Sequence, residues 1–286
     1  MPCVFSPHED LPFDGGKYFY DVEKLMQQAY AHPEIKGWKA SLAIDYQHRN
    51  ERSFIQRITH EGPLLVQKSF YPAGPATAYN YILHPPGGLV GGDALDLRVR
   101  LDKGASVFLT TPSAGKLYRT ITQASTLDQD IVLKDETRLF YLHQETIALD
   151  GTLHKTRTKI HLSSSSQLAL WEIHALGRAG AGERFTKGFL TTSVEIFRNN
   201  KPLLKERSVY QGGDSLLDAP WGLAGFSACG TLFVSRAGIE SFSDGLLDRQ
   251  TLPGDIAVTI VDQLLMIRAR SDSAEKIRLS FTDILL

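Results

Sequence analysis

The chain has 286 residues, with 31 Lys and Arg against 32 Asp and Glu for a formal net charge of −1. No global field therefore draws it to a phosphate backbone or an anionic membrane, and neither nucleic acid nor membrane is an expected partner. Hydrophobic residues at 42% and charged residues at 22% are the proportions of a soluble globular protein with a substantial core, and two distant cysteines, Cys3 and Cys229, exclude a disulfide framework.

The opening residues MPCVFSPHEDLPFDGG lack the basic n-region and apolar h-region of a secretory signal. No run approaches the roughly 18 apolar residues of a membrane span. These readings predict a cytoplasmic protein. Residues 1–36 stand apart as an N-terminal extension, in which Phe19, Val22, Leu25, Met26 and Ala29 fall at helical spacing before Pro33. A short helix is predicted near residues 19–32.

From Trp38 onward the pattern is β, and residues 37–286 are read as one domain. In LDLRVRLDKGASVFLTT, Leu95, Leu97, Val99 and Leu101 alternate with Asp96, Arg98, Arg100 and Asp102. Asp102, Lys103 and Gly104 supply a turn, which predicts a hairpin. SVEIFRNNKPLLKERSVY predicts a second around Asn199 and Asn200, and DIAVTIVDQLLMIRA a third around Asp262 and Gln263. HKTRTKIHLSSSSQLALWEIHALG reads as two strands about a turn at serines 163–166. The expectation is an antiparallel-rich β architecture, with further helix only around 112–120 and in the last dozen residues.

The motifs that suggest chemistry are incomplete. Gly115 and Lys116 in TTPSAGKLYRT lack the earlier glycine and the following hydroxyl of a Walker A loop, since Thr110 and Leu117 occupy those places. His143 and Glu145 in HQE, placed on one face of a strand, resemble half of a zinc deaminase motif whose paired cysteines are missing. GRAGAGERF lacks the strand–turn–helix setting of a dinucleotide fingerprint, and GFSACG misses the spacing of a nucleophile elbow. HPPGGLVGGD, residues 84–93, reads as a rigid corner: Pro85 and Pro86 fix φ, the glycines open other backbone regions, and Asp93 can cap the turn.

Taken together, GPLLVQKSFYP, LHPPGGLVGGDALDLRVRLDKGA, TTPSAGKLYRT, QETIALDG and WEIHALGRAGAGERFTKG resemble, in order and spacing, the UreD family of urease accessory proteins, called UreH in some bacteria. The likeness runs from about Trp38 to the C-terminal region. It implies a mainly β fold in one elongated, β-helix-like domain of stacked antiparallel or mixed strands with a few short α-helices. It also implies a non-catalytic scaffold that binds UreF, reaches the GTPase UreG through UreF, engages apo-urease and assists nickel delivery. No cofactor is expected to be held tightly, and nickel is expected only in transit.

The residues singled out for a docking surface or a nickel passage are His84, Asp93, Thr110, Thr111, Lys116, Tyr118, Arg119, Glu145 and Arg178, with His84, Asp93 and Glu145 as transient metal contacts. Family members often carry Cys-His where this chain has Ala78 and Tyr79, Cys at Ala175 and Pro at His143. Without those soft ligands, tight nickel binding by this chain alone is not expected. Two other readings stand beside this one: an all-β metal- or sugar-binding enzyme using His143 and Glu145 with His84, and a docking module without metal passage.

Overall fold

The structure is a computed structural model that describes residues 37–121, 123–235 and 255–285. The helix predicted near 19–32 lies outside the described residues. The fold is mainly β with solenoid-like stacking in one domain.

From β1 (Lys39–Arg49) and β2 (Arg52–Glu61), the chain passes through β3 (Leu65–Val66) to β4 (Thr77–Leu83). It then alternates between two sheets: β5 (Ala94–Leu101), β6 (Ser106–Thr110), β8 (Ser125–Leu133), β9 (Arg138–Tyr141), β11 (Thr152–Leu162), β12 (Gln167–Leu176) and β13 (Gly188–Arg198). Short strands β7 (Gly115–Leu117) and β10 (Thr146–Ala148) lie within the connections. β14 (Lys201–Gln211), helix α1 (Ser215–Asp218), β15 (Ala228–Ser235), β16 (Asp255–Val261), β17 (Leu264–Ser271) and helix α2 (Ala274–Leu285) follow. The seven-stranded sheet has the order β14-β13-β11-β8-β5-β1-β2, and the ten-stranded sheet runs β16-β17-β15-β12-β9-β6-β4-β3 with β7 and β10 attached to one side.

The two Asn-rich turns do what their chemistry asks. Asn199 and Asn200 both adopt positive φ, as do Asn50 and Glu51, which is the requirement of a two-residue turn between twisted antiparallel strands. β13 and β14, and β1 and β2, accordingly pair as hairpins. The β16–β17 hairpin is also formed, with Asp262 at positive φ.

Residues 95–110 do not form a hairpin. β5 pairs in parallel with β1 and β8, whereas β6 belongs to the facing sheet and pairs in parallel with β4 and β9. Asp102–Gly104 is a corner from one sheet to the other, held by Gly104 N–H donating to Asp135 O and Ala105 N–H to Asp102 O. β11 and β12, on either side of the serine turn, likewise lie in different sheets.

The antiparallel-rich expectation is corrected at the same time. Alternation with one polar face usually marks antiparallel strands, because parallel sheets are normally covered by crossover helices. Here tight corners replace those helices, and the outer face of the seven-stranded sheet keeps Arg98, Asp128, Asp130, Arg157 and Lys159 at least partly in water. The inward residues Leu97, Val99, Leu101, Ile131, Ile160 and Ile196 fill the space between the sheets.

A second core lies on the outer side of the ten-stranded sheet. Ala274, Ile277, Phe281 and Ile284 of α2 cover Ala169, Trp171, Ile173, Leu232 and Ile267. The terminal helix was expected; a helix at 112–120 was not found, because those residues form a loop and the short strand β7, tied in parallel to β10.

Candidate functional site

The inter-sheet space is not filled throughout. A cavity of about 450 Å³ opens beside the HPPGG corner, with the exposed residues Pro85, Gly87, Ser113 and Lys116 among its wall. Its floor comes from the inward faces of β5, β8, β9, β11 and β12, where Leu95, Leu97 and Leu127 are joined by Gln129, Tyr141, His154, Thr156, Glu172 and His174.

The polar side chains are linked in series. Tyr141 Oη donates to Gln129 Oε1 at 2.6 Å, Gln129 Nε2 to Thr158 Oγ1 at 2.9 Å, and Thr158 Oγ1 to Glu172 Oε1 at 3.1 Å. The other carboxylate oxygen of Glu172 lies 3.9 Å from His174 Nε2. Nδ1 of His174 is buried without a protein partner, a group that water or a passing cation can satisfy. His154 is fully buried, its ring nitrogens 2.7 Å from Ser125 Oγ and 3.0 Å from Thr156 Oγ1. Burial, with His174 nearby, holds its pKa down to about 3, so it is neutral. Burial also lowers the pKa of His143 and of His84, in the latter against an opposing pull from Asp93.

Glu172 and His174 also border a second hollow, of about 10 Å³, lined by Thr192, Glu206, Ser208 and Tyr210. That volume is about one water. Glu206 there forms an ion pair with Arg268 of β17, which ties the edge strand β14 of the seven-stranded sheet to the facing sheet. The Glu172–His174 pair is therefore the shared wall between a large hollow and a small one.

Of the residues singled out from the sequence, His84, Thr111, Lys116 and His143 line the cavity. Thr111 Oγ1 accepts from Gln144 N–H at 3.0 Å. Thr110 is buried and donates to Leu142 O at 2.6 Å. Asp93 is committed to the corner: its oxygens accept from Trp38 N–H at 2.8 Å and Val90 N–H at 2.9 Å. Tyr118 is exposed beside Gly88, Arg119 lies against Gly151, and Arg178 pairs with Glu183 on the surface.

His143 and Glu145 do not share a strand face. The strand ends at Tyr141, so HQE is a connection. His143 turns to the cavity, its Nδ1 2.8 Å from Gln144 O, while Glu145 lies 3.8 Å from Arg278 of α2. The pair on which the enzyme reading relied is separated by the loop. Among the described residues, no three His, Cys, Asp or Glu side chains come together as a metal site requires.

The sequence reading missed Gln129, His154, Glu172 and His174. The signal was present: in QLALWEIHAL, Glu172 and His174 share the alternating register of Leu168, Leu170 and Leu176, which places ionisable groups on a core-facing row.

The fold and cavity define a two-sheet β-solenoid protein with a polar wall inside it. The chain belongs to the UreD family: the family model described as the UreD urease accessory protein matches residues 39–286. The urease accessory protein UreD of Alkalilimnicola ehrlichii is 37% identical over 251 residues, covering 87% of this chain and 85% of the relative. That of Klebsiella aerogenes is 35% identical over 243 residues, covering 84% and 87%. The family is one of accessory proteins for urease maturation rather than of enzymes, and no helix among the described residues is long and apolar enough to cross a membrane.

Proposed function

We propose that this chain is a cytoplasmic scaffold for nickel delivery. It binds UreF, is linked through UreF to the GTPase UreG, docks on apo-urease and lets nickel pass between its two sheets. Residues 37–286 act as the β domain, and residues 1–36 as an extension. The observation that supports a passage is the Glu172–His174 pair, which borders both hollows and includes a buried ring nitrogen without a protein partner.

One carboxylate and one imidazole offer an ion brief contacts but not a closed coordination shell, so a cation that enters can leave. The hydroxyls of Thr156 and Ser208 and the amide of Gln129 offer oxygen for a hydrated ion along the way. His84 stands beside the HPPGG corner, on the same wall as the exposed Lys116.

The test has two parts. Co-expression with the host's UreF, with and without UreG, should give a stoichiometric complex by light scattering. Replacing Glu172 by Gln and His174 by Gln together should leave that mass unchanged and reduce nickel-dependent urease activation by about tenfold or more. No complex would end the scaffold reading; an intact complex with full activation would end the passage and leave docking alone.

A further inference from the structure

We propose that Thr158 is the positioning residue of the passage: its hydroxyl pins one oxygen of Glu172 and so holds the gap between Glu172 and His174 open to a divalent cation. The inference rests on the passage reading and names the contact that keeps that pair apart.

The relay that ends on Glu172 runs in one direction only. Tyr141 Oη donates to Gln129 Oε1 at 2.6 Å, Gln129 Nε2 to Thr158 Oγ1 at 2.9 Å, and Thr158 Oγ1 to Glu172 Oε1 at 3.1 Å. Flipping the Gln129 amide would turn its oxygen toward Thr158, claim the single hydroxyl proton and leave Glu172 Oε1 facing a lone pair. The carboxylate therefore fixes the polarity of every member before it. All four side chains are buried, Thr158 completely. Gln129 and Thr158 stand opposite each other on the parallel strands β8 and β11, while Tyr141 and Glu172 come from β9 and β12 of the facing sheet. The relay thus crosses the inter-sheet space twice, and its geometry is set by strands rather than by a loop.

What the relay leaves open points to a ligand. A buried polar network that only stabilises a fold closes its hydrogen bonds, yet Glu172 Oε2 and His174 Nε2 stop 3.9 Å apart, beyond a hydrogen bond. Nδ1 of the same imidazole is buried with no protein partner. A first-row dication binds nitrogen and oxygen at about 2.1 Å, so one ion bridges donors up to roughly 4.2 Å apart. At 3.9 Å the bridge needs a bond angle far wider than the right angle between octahedral neighbours, and the grip is correspondingly weak. An ion held that way is held briefly.

Without the Thr158 hydroxyl, nothing keeps the carboxylate back. Glu172 Oε1 loses its donor, the His174 imidazole supplies the missing hydrogen bond, and the two side chains close on each other. A cation then loses both of its contacts at once.

Equilibrium dialysis of the full chain against nickel ion tests this, counting the binding that Glu172→Gln removes. Thr158→Val should weaken that binding by about tenfold or more, and Thr158→Ser, which keeps the hydroxyl, should retain it. In a Glu172→Gln background Thr158→Val should cause no further loss, because a residue that acts through Glu172 has nothing left to position. Wild-type nickel affinity in Thr158→Val, or a loss of the same size with and without Glu172, would overturn the proposal while leaving the passage reading intact. If Thr158→Val does not fold, Tyr141→Phe decides: a loss of about threefold that vanishes in the Glu172→Gln background supports the relay, and an unchanged affinity overturns it. Nickel binding untouched by Glu172→Gln itself would overturn both the passage and the positioning role.

Discussion

Two adjacent glycines in the HPPGG corner are needed for different reasons. Gly87 has open space where a Cβ would go but sits at φ +76°, whereas a Cβ on Gly88 would lie 2.4 Å from the Tyr118 ring and 2.7 Å from Lys116 O. Gly87→Ala should therefore cost about 1 kcal/mol, the price of left-handed backbone. Gly88→Ala should cost about 1–3 kcal/mol, because the carbonyl it meets belongs to the backbone that pairs with Leu89. Denaturant unfolding of the two variants would show the difference. His154 makes a third residue-level prediction. Its pKa is about 3 when folded against the 6.5 of an ordinary imidazole, so below pH 6.5 the unfolded chain takes a proton that the folded chain refuses. Its contribution is complete above pH 6.5 and falls by about 1.4 kcal/mol per pH unit towards pH 3. His154→Gln should flatten the acid side of the stability profile, measured as unfolding midpoints between pH 4 and 7; an unchanged slope would show that this ring does not set it. The sequence made the corner legible through its prolines and glycines, and Asp93 does cap it. It did not reveal that Asp93 also accepts from the Trp38 amide, since a hydrogen-bond partner 55 residues away leaves no local mark.

At the scale of elements, strand existence was legible and strand partnership was not. Leu95 to Leu101 alternate in the same way whether the next strand folds back alongside or turns into a facing sheet, and Asp-Lys-Gly serves both turns. The difference lies in Gly104 bonding to Asp135, on the next rung of the coil. Around Asn199 and Asn200 the local chemistry was enough, because two consecutive positive φ values suit only a tight hairpin. A helix in the last dozen residues was also expected, but its role as cover was not. Phe281 is fully buried against the sheet, its ring centroid 6.2 Å from that of Trp171. Phe281→Ala should cost about 3–5 kcal/mol; thermal unfolding with a matched Leu279→Ala control, at an exposed position of the same helix, would separate lost packing from lost helix propensity.

The whole molecule joins two features that the sequence keeps apart: an apolar body and a polar line within it. The polar line was hidden because Gln129, His154, Glu172 and His174 come from three strands and meet only after the sheets face one another. Motif reading instead favoured His143 and Glu145, which are close in sequence and part company at the end of β9. Because the strands stack as rungs, the molecule also sets a distance. Three inter-strand steps separate β4, which leads into His84, from β12, which carries Glu172. At about 4.8 Å each they make roughly 14 Å. Substitution can alter what lines that interval, but only gain or loss of a whole rung can alter its length. Partners docked at opposite ends of the stack are therefore kept at a separation counted in strands, independent of the chemistry between them.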